Sequence, residues 1–365
     1  MFPRPAFPRA ARPARLSLAL ALLAAAPLAA PLAAQQAAPA AAPAGLDTAG
    51  MDRSVRPGDD FYRYANGRWL GRTEIPADRS AWGAFNVAAE RAEAQLTGIV
   101  RGAAAAAQAP AGSDLRRIGD FYASFLDTAA IERAGLAPLR AELARIDAIA
   151  DRTALARYVG ATVRADVDVL NDGELHTDNL FGLWVDQDFD DPTRNFAALL
   201  QGGIAMPDRS YYLDTSAAMQ ATRAAYRAHV AKMLALAGVA AAEAKADAVL
   251  RLETRIAGTH WKREDSWDPA KGNVHWRREE FAAKAPGLDW NAFFDAAGLA
   301  GQPVFVAWQA SALTGISALA ASEPLADWKA LFTYHAIAHR APVLPAAFDR
   351  EAFDFYGHTL SGVPQ

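Results

Sequence analysis

The chain has 365 residues, with 37 Lys and Arg against 41 Asp and Glu, a formal net charge of −4, and no Cys. A balance this even, with no basic stripe interleaved with aromatics, excludes nucleic acid as a partner. The absence of Cys excludes disulfides, thiolate metal ligands, a cysteine nucleophile and a lipid anchor on cysteine, while 52% hydrophobic and 21% charged residues supply a packed core for one large domain or two ordinary ones.

Arg4, Arg9, Arg12 and Arg15 precede the apolar stretch Leu16 to Leu28, and small residues succeed it at Ala33 and Ala34. This is the pattern of a signal peptide over residues 1–34. The apolar run falls short of the about 20 residues a membrane span needs; left uncleaved, it would instead anchor the chain. Residues 35–46, rich in Ala, Pro and Gln, read as a flexible linker, and 47–365 as the folded region. An exported chain without Cys is expected in the periplasm or outside the cell.

Most of the folded region has helical periodicity, so the fold class is mainly α with a few short strands. Ser113 has the chemistry of an N-cap, and Leu115, Ile118, Tyr122 and Phe125 then recur at helical spacing. Further stripes run through Leu139, Leu143 and Ile146, through Leu155, Tyr158, Val159 and Val163, and through Met219, Tyr226, Val230 and Met233. Two more lie at Val249, Leu252 and Ile256 and at Trp328, Leu331, Phe332 and His335. Strand signals are confined to the alternation at Phe181, Leu183 and Val185 and the run Pro303 to Trp308, each read as a minor hairpin. No fixed-period repeat appears, which argues against a solenoid.

Pro57 to Leu70, PGDDFYRYANGRWL, reads physically as a turn and a helix start. Asp59 and Asp60 favour a helix N-terminus, Phe61, Tyr64 and Trp69 could bury one face, and Asn66-Gly67 could end the helix. Four more stretches come in order along the chain: IPADRSAWGAF at Ile75–Phe85, GDFYASFLD at Gly119–Asp127, QGGIAMPDRSYYLD at Gln201–Asp214 and FDFYGHTLSGVPQ at Phe353–Gln365. Together they resemble the N-terminal, non-catalytic portion of the neprilysin and endothelin-converting enzyme family of zinc endopeptidases.

The resemblance implies a large helical lobe that faces a zinc lobe across a closed chamber, admitting peptides and excluding folded proteins. It implies zinc as the cofactor of full-length relatives, bound through His-Glu-x-x-His and a downstream glutamate. No His in this chain stands in that frame, so neither a metal ligand nor a catalytic residue is assigned, and the chain alone is expected to be inactive. His335 and His339 share the spacing, but Ala336 stands where the general base would be; they read as packed or solvated helix residues. Relatives place an arginine where Ala81 stands, so Arg79, two residues earlier, is the substitute substrate contact, against a plain surface arginine.

Two charged clusters remain. Asp186, Asp188, Asp190 and Asp191 lack the Gly and Glu of a helix-loop-helix calcium site and read as a solvated acidic turn. Lys262, Arg263, Glu264 and Asp265 read as a polar loop. The functional reading is the substrate-enclosing region of a zinc metalloendopeptidase, its partners being peptides and a catalytic half encoded separately or beyond this sequence. The alternative is a stand-alone periplasmic peptide-binding or interaction module without catalysis. Because the resemblance packs the Pro57–Leu70 segment on the catalytic lobe, Phe61, Tyr64, Trp69, Phe353 and Phe355 are expected to lack cover, and the isolated chain to self-associate.

Overall fold

The computed structural model describes residues 45–76, 79, 81–165, 177 and 179–363. The stretch read as a signal peptide, most of the linker and His176 lie outside the described residues. The chain divides into two compact units, Met1–Thr73 and Glu74–Gln365.

In the first unit, helix α1 (Phe61–Arg72) starts where Asp60 accepts a hydrogen bond from the Arg63 backbone N–H at 2.8 Å. The helix runs through Asn66-Gly67 rather than ending there. Gly67 is a packing residue: a Cβ at that position would lie 2.6 Å from Asp52 Cβ. Tyr64 and Trp69 are half-buried and Phe61 is exposed, so the aromatic face is only partly covered.

The second unit begins with a packed helical pair, α2 (Ala84–Ala105) and α3 (Asp114–Leu126). Ser113 caps α3 as its sequence predicts, accepting from the Arg116 N–H. The two helices touch at Gly119, where an added Cβ would meet Ala103 O at 2.7 Å. The stripe of α3 has helical spacing but is not core: Leu115, Ile118 and Phe125 are all exposed.

Helices α4 (Thr128–Ala134), α5 (Arg140–Asp147) and α6 (Arg152–Thr162) lead into the main core. Asp127 and Asp151 cap α4 and α6 by accepting the Ala130 and Ala154 N–H at 2.9 and 2.7 Å. The long pair α7 (Ala217–Leu236) and α8 (Ala242–Thr259) carries the centre of that core. Tyr226, Val230, Met233, Val249, Leu252 and Ile256 are fully buried there, and each such apolar side chain contributes about 1.5–3 kcal/mol by leaving water. Around them pack α9 (Trp290–Ala296), α10 (Ala310–Ser322), α11 (Leu325–Ala338) and α12 (Ala346–Ala352), the last continuing as a π-helix over Phe353–Leu360. The stripes at residues 139–163, 219–233, 249–256 and 328–335 all fall within these helices or beside them.

A four-stranded sheet lies against this core in the order β1 (Phe181–Gln187), β2 (Asn195–Gln201), β4 (Val304–Ala307), β3 (His275–Arg277). β1 and β2 form the expected hairpin, with Phe181 opposite Gln201. The Pro303–Trp308 run gives β4, which closes no hairpin of its own: it pairs parallel with β2 and antiparallel with β3. Alternation places Ala197, Leu199 and Phe305 in the main core. It places Phe196, Ala198, Leu200, Val306, Trp184 and Trp308 in a second cluster on the other face. The charged run at 262–265 is not a loop throughout, since Arg263–Ser266 forms a single helical turn.

Candidate functional site

Glu253, on α8, is fully buried in the core and hydrogen-bonded by several groups. Its carboxylate accepts from Tyr226 Oη at 2.7 Å and Tyr212 Oη at 3.2 Å, and lies 2.7 Å from His335 Nε2. The Gly-rich stretch after β2 supplies the remaining partner. Gly203 adopts φ +86°, open to glycine without strain, and the chain turns so that the Ala205 N–H reaches Glu253 Oε1 at 3.2 Å. Met206 N–H donates to Tyr212 Oη at 2.9 Å. Burial, then the Glu253 charge, pushes the Tyr212 and Tyr226 hydroxyls well above their ordinary range, so both stay protonated donors.

His335 also forms part of the wall of a cleft of about 370 Å³, with Glu142, Arg145, Tyr158, His339 and Arg340. Helices α5, α6 and α11 bring these residues together from three stretches of sequence. Tyr158 Oη donates to Glu142 Oε1 at 2.7 Å, and Arg145 pairs with the same carboxylate group. Burial pushes the Tyr158 hydroxyl up to about 12, against the pull of Arg145 and Arg340. Guanidinium, imidazole, hydroxyl and carboxylate groups line the cleft beside Phe332 and suit the binding of a polar group.

A second concavity is apolar. Leu96, Val100, Ile118, Phe121, Tyr122 and Phe125 form a groove of about 740 Å³ along α2 and α3. Phe121 is 78% exposed and Leu96 59%. This face, and not Phe355, carries uncovered aromatics of the second unit, Phe121 and Phe125 among them. Phe355 is 3% exposed, its ring stacked on His229 at 4.9 Å, and so is part of the core. Phe353 remains exposed.

The other predicted residues take these positions. Arg79 Nη2 lies 4.0 Å from Glu90 Oε1, at the start of α2, with its side chain partly exposed. His335 and His339 do share α11 and its end, but His335 is turned onto Glu253. Asp186, Asp188, Asp190 and Asp191 lie at the end of β1 and in the loop to β2. Among the described residues, the one group of three His, Asp or Glu ligand atoms within 4.8 Å of one another is Asp188, Asp190 and His275. Neither His335 nor His339 belongs to it. Ala336 follows His335, so His335 and His339 do not supply the His-Glu-x-x-His arrangement of a catalytic zinc site.

Glu253 escaped the sequence reading. Its signal was available: a carboxylate beside Leu252 and three residues before Ile256 stands at the edge of an apolar stripe, and a charge so placed is rarely buried without partners.

Comparison with known proteins agrees with the motif resemblance. The family profile described as Peptidase family M13 matches residues 57–365. Endothelin-converting enzyme-like 1 of Mus musculus is 31% identical over 218 residues, 58% of this chain and 27% of that protein. Neprilysin-3 of Drosophila melanogaster is 23% identical over 248 residues, 67% of this chain and 31% of that protein. The solved zinc metalloprotease of Mycobacterium tuberculosis, in complex with an inhibitor, superposes with a TM-score of 0.75 at 38% identity, over 89% of this chain and 48% of that one. The chain spans about half the length of that structure and less than a third of these two curated relatives.

Proposed function

The chain belongs to peptidase family M13, and from that premise we propose that it is the substrate-enclosing, N-terminal region of a zinc metalloendopeptidase that acts on peptides. Cleavage is assigned to a complementary catalytic portion, because the 365 residues contain no His-Glu-x-x-His. The observation that carries this reading is the groove between α2 and α3, an apolar face left open on a helical pair that is itself tightly packed at Gly119. Such a face is suited to be covered by a further folded portion.

In this reading the region orients peptides and excludes water while contributing no bond-breaking group. Arg79 is the residue proposed to meet a substrate carboxylate, since guanidinium recognises carboxylate in a bidentate geometry. Export is inferred from the Arg-rich start and apolar stretch of residues 1–34. Among the described residues no helix is long and apolar enough to cross a membrane.

The test is complementation. The chain from residue 35 onward is mixed with the catalytic portion of the Mycobacterium tuberculosis relative, supplied as a separate polypeptide. Chelator-sensitive peptide cleavage by the mixture, and by neither piece alone, is the expected result. A mixture that neither associates in sedimentation nor cleaves, beside a chain that binds peptides by itself, would overturn the proposal. The polar cleft under α11 would then favour the stand-alone peptide-binding module.

A further inference from the structure

We infer that Asp188, Asp190 and His275 form a site for a divalent transition-metal ion that fastens the β1–β2 loop to the opposite edge of the sheet. The carboxylates come from the loop after β1, and the imidazole from the first residue of β3. β1 and β3 are the two outer strands, so the fold, not local sequence, makes the cluster. Ligand atoms of Asp188, Asp190 and His275 all lie within 4.8 Å of one another.

Asn273 links two of these ligands by hydrogen bonds. Its Oδ1 lies 3.0 Å from His275 Nε2, and its Nδ2 donates to Asp190 Oδ2 at 3.0 Å. Asp190 Oδ2 is itself 4.0 Å from His275 Nε2. Metal–nitrogen and metal–oxygen bonds of about 2.0–2.2 Å place neighbouring ligands of a tetrahedral zinc site roughly 3.3–3.6 Å apart. The 4.0 Å between His275 Nε2 and Asp190 Oδ2 is slightly wider than that value, and the exposed Asp190 side chain has the freedom to close the difference.

The donor set narrows the ion. One imidazole with carboxylate oxygens suits zinc or a neighbouring first-row divalent ion, whereas calcium and magnesium take oxygen ligands. An acidic loop alone would be a solvated turn; the imidazole arriving from a strand 85 residues along the chain sets this cluster apart.

The position gives the site a consequence. Phe189 lies between the two aspartates in sequence, and its ring stacks on Phe196 at 5.6 Å and lies 5.9 Å from Trp308. Trp184 meets Trp308 edge-on at 5.3 Å. An ion held by Asp188, Asp190 and His275 would pin Phe189 over this aromatic face, which otherwise leaves Phe189 43% exposed.

The experiment uses tag-free protein stripped with chelator and titrated with zinc chloride, read by calorimetry and by tryptophan emission. One saturable equivalent with a change in emission is expected for the unmodified chain. H275A and D190N should each weaken binding by about tenfold or more and abolish the emission change, with far-UV circular dichroism unaltered. H358A, at an exposed histidine elsewhere, should behave as the unmodified chain does. Equal zinc binding by H275A, D190N and the unmodified chain would overturn the site, as would no saturable zinc binding at all. Preference for calcium over zinc would overturn the role of the imidazole.

Discussion

Glu253 on α8 and His335 on α11 meet at 2.7 Å, with side-chain exposures of 0% and 8%. The pair is reinforced by two tyrosine hydroxyls and a backbone N–H, so both carboxylate oxygens are hydrogen-bonded. Removing one member of such a group strands the others without water. Glu253→Ala should therefore lower unfolding free energy by about 3–5 kcal/mol. Glu253→Gln, which keeps acceptor capacity for the tyrosines, should lose less. Urea denaturation followed by circular dichroism measures both. A loss below about 1 kcal/mol for Glu253→Ala would mean that the tyrosines and His335 find other partners.

Gly160 makes the contact between α6 and α9. A Cβ there would lie 2.2 Å from Phe293 O, a backbone atom that no rotamer change can move. Gly160→Ala must push the two helices apart, and overpacking of this kind costs about 1–3 kcal/mol. In an open helix the same change would instead stabilise, because Ala is the better helix former by roughly 1 kcal/mol. Thermal unfolding decides by its sign: a raised midpoint would show that the contact yields.

Glu351 supplies a pH dependence. Burial alone would raise its carboxyl, but hydrogen bonds from His229 and Lys232 outweigh burial and hold it below its ordinary value of 4.5. His229 Nδ1 lies 3.0 Å from Glu351 Oε1, and Lys232 Nζ pairs with the other oxygen. A group whose folded pKa is depressed adds stability that is present above its unfolded pKa and disappears as pH falls through the folded one. The contribution of Glu351 is thus in place above about pH 4.5 and lost on further acidification. Glu351→Gln should be less stable than the unmodified chain at pH 7, with the gap closing below pH 4.5. Urea unfolding at a series of pH values tests this, and a gap independent of pH would assign the loss to packing.

Periodicity and capping chemistry made the helices legible: Ser113, Asp60 and the apolar stripes all do locally what their sequence says. Two things were not written locally. Gly67 looks like a helix stop, but its role is set by Asp52, fifteen positions earlier. His275 and Asn273 carry no local signal, and only the strand order brings them to Asp190. The stripe Leu115–Phe125 shows the converse limit, since helical spacing reports an apolar face without saying what covers it. The family motifs filled part of this gap, and the Tyr212 of the QGGIAMPDRSYYLD stretch proved to be a partner of the buried carboxylate.

The groove of α2 and α3 bears on association. Phe121, Leu96 and Phe125 are 78%, 59% and 50% exposed along one face of a helical pair. Covering apolar surface returns about 25 cal/mol per Å², so this face should draw a second copy of the chain when the complementary portion is missing. The isolated chain is expected to self-associate with rising concentration and to bind a hydrophobic dye. Phe121→Ser should weaken both effects. Because Phe121 already faces solvent, its loss should change folding stability by no more than about 0.5 kcal/mol, which separates this effect from unfolding. Sedimentation velocity and dye fluorescence on the two proteins make the comparison. If the catalytic portion of a relative covers the same face, adding it should dissolve the self-association of the unmodified chain, and Phe121→Glu should raise the concentration of partner required. A chain that stays monomeric, binds no dye and is indifferent to changes at Phe121 would show that the groove needs no cover, and would remove the observation on which the enclosing role rests.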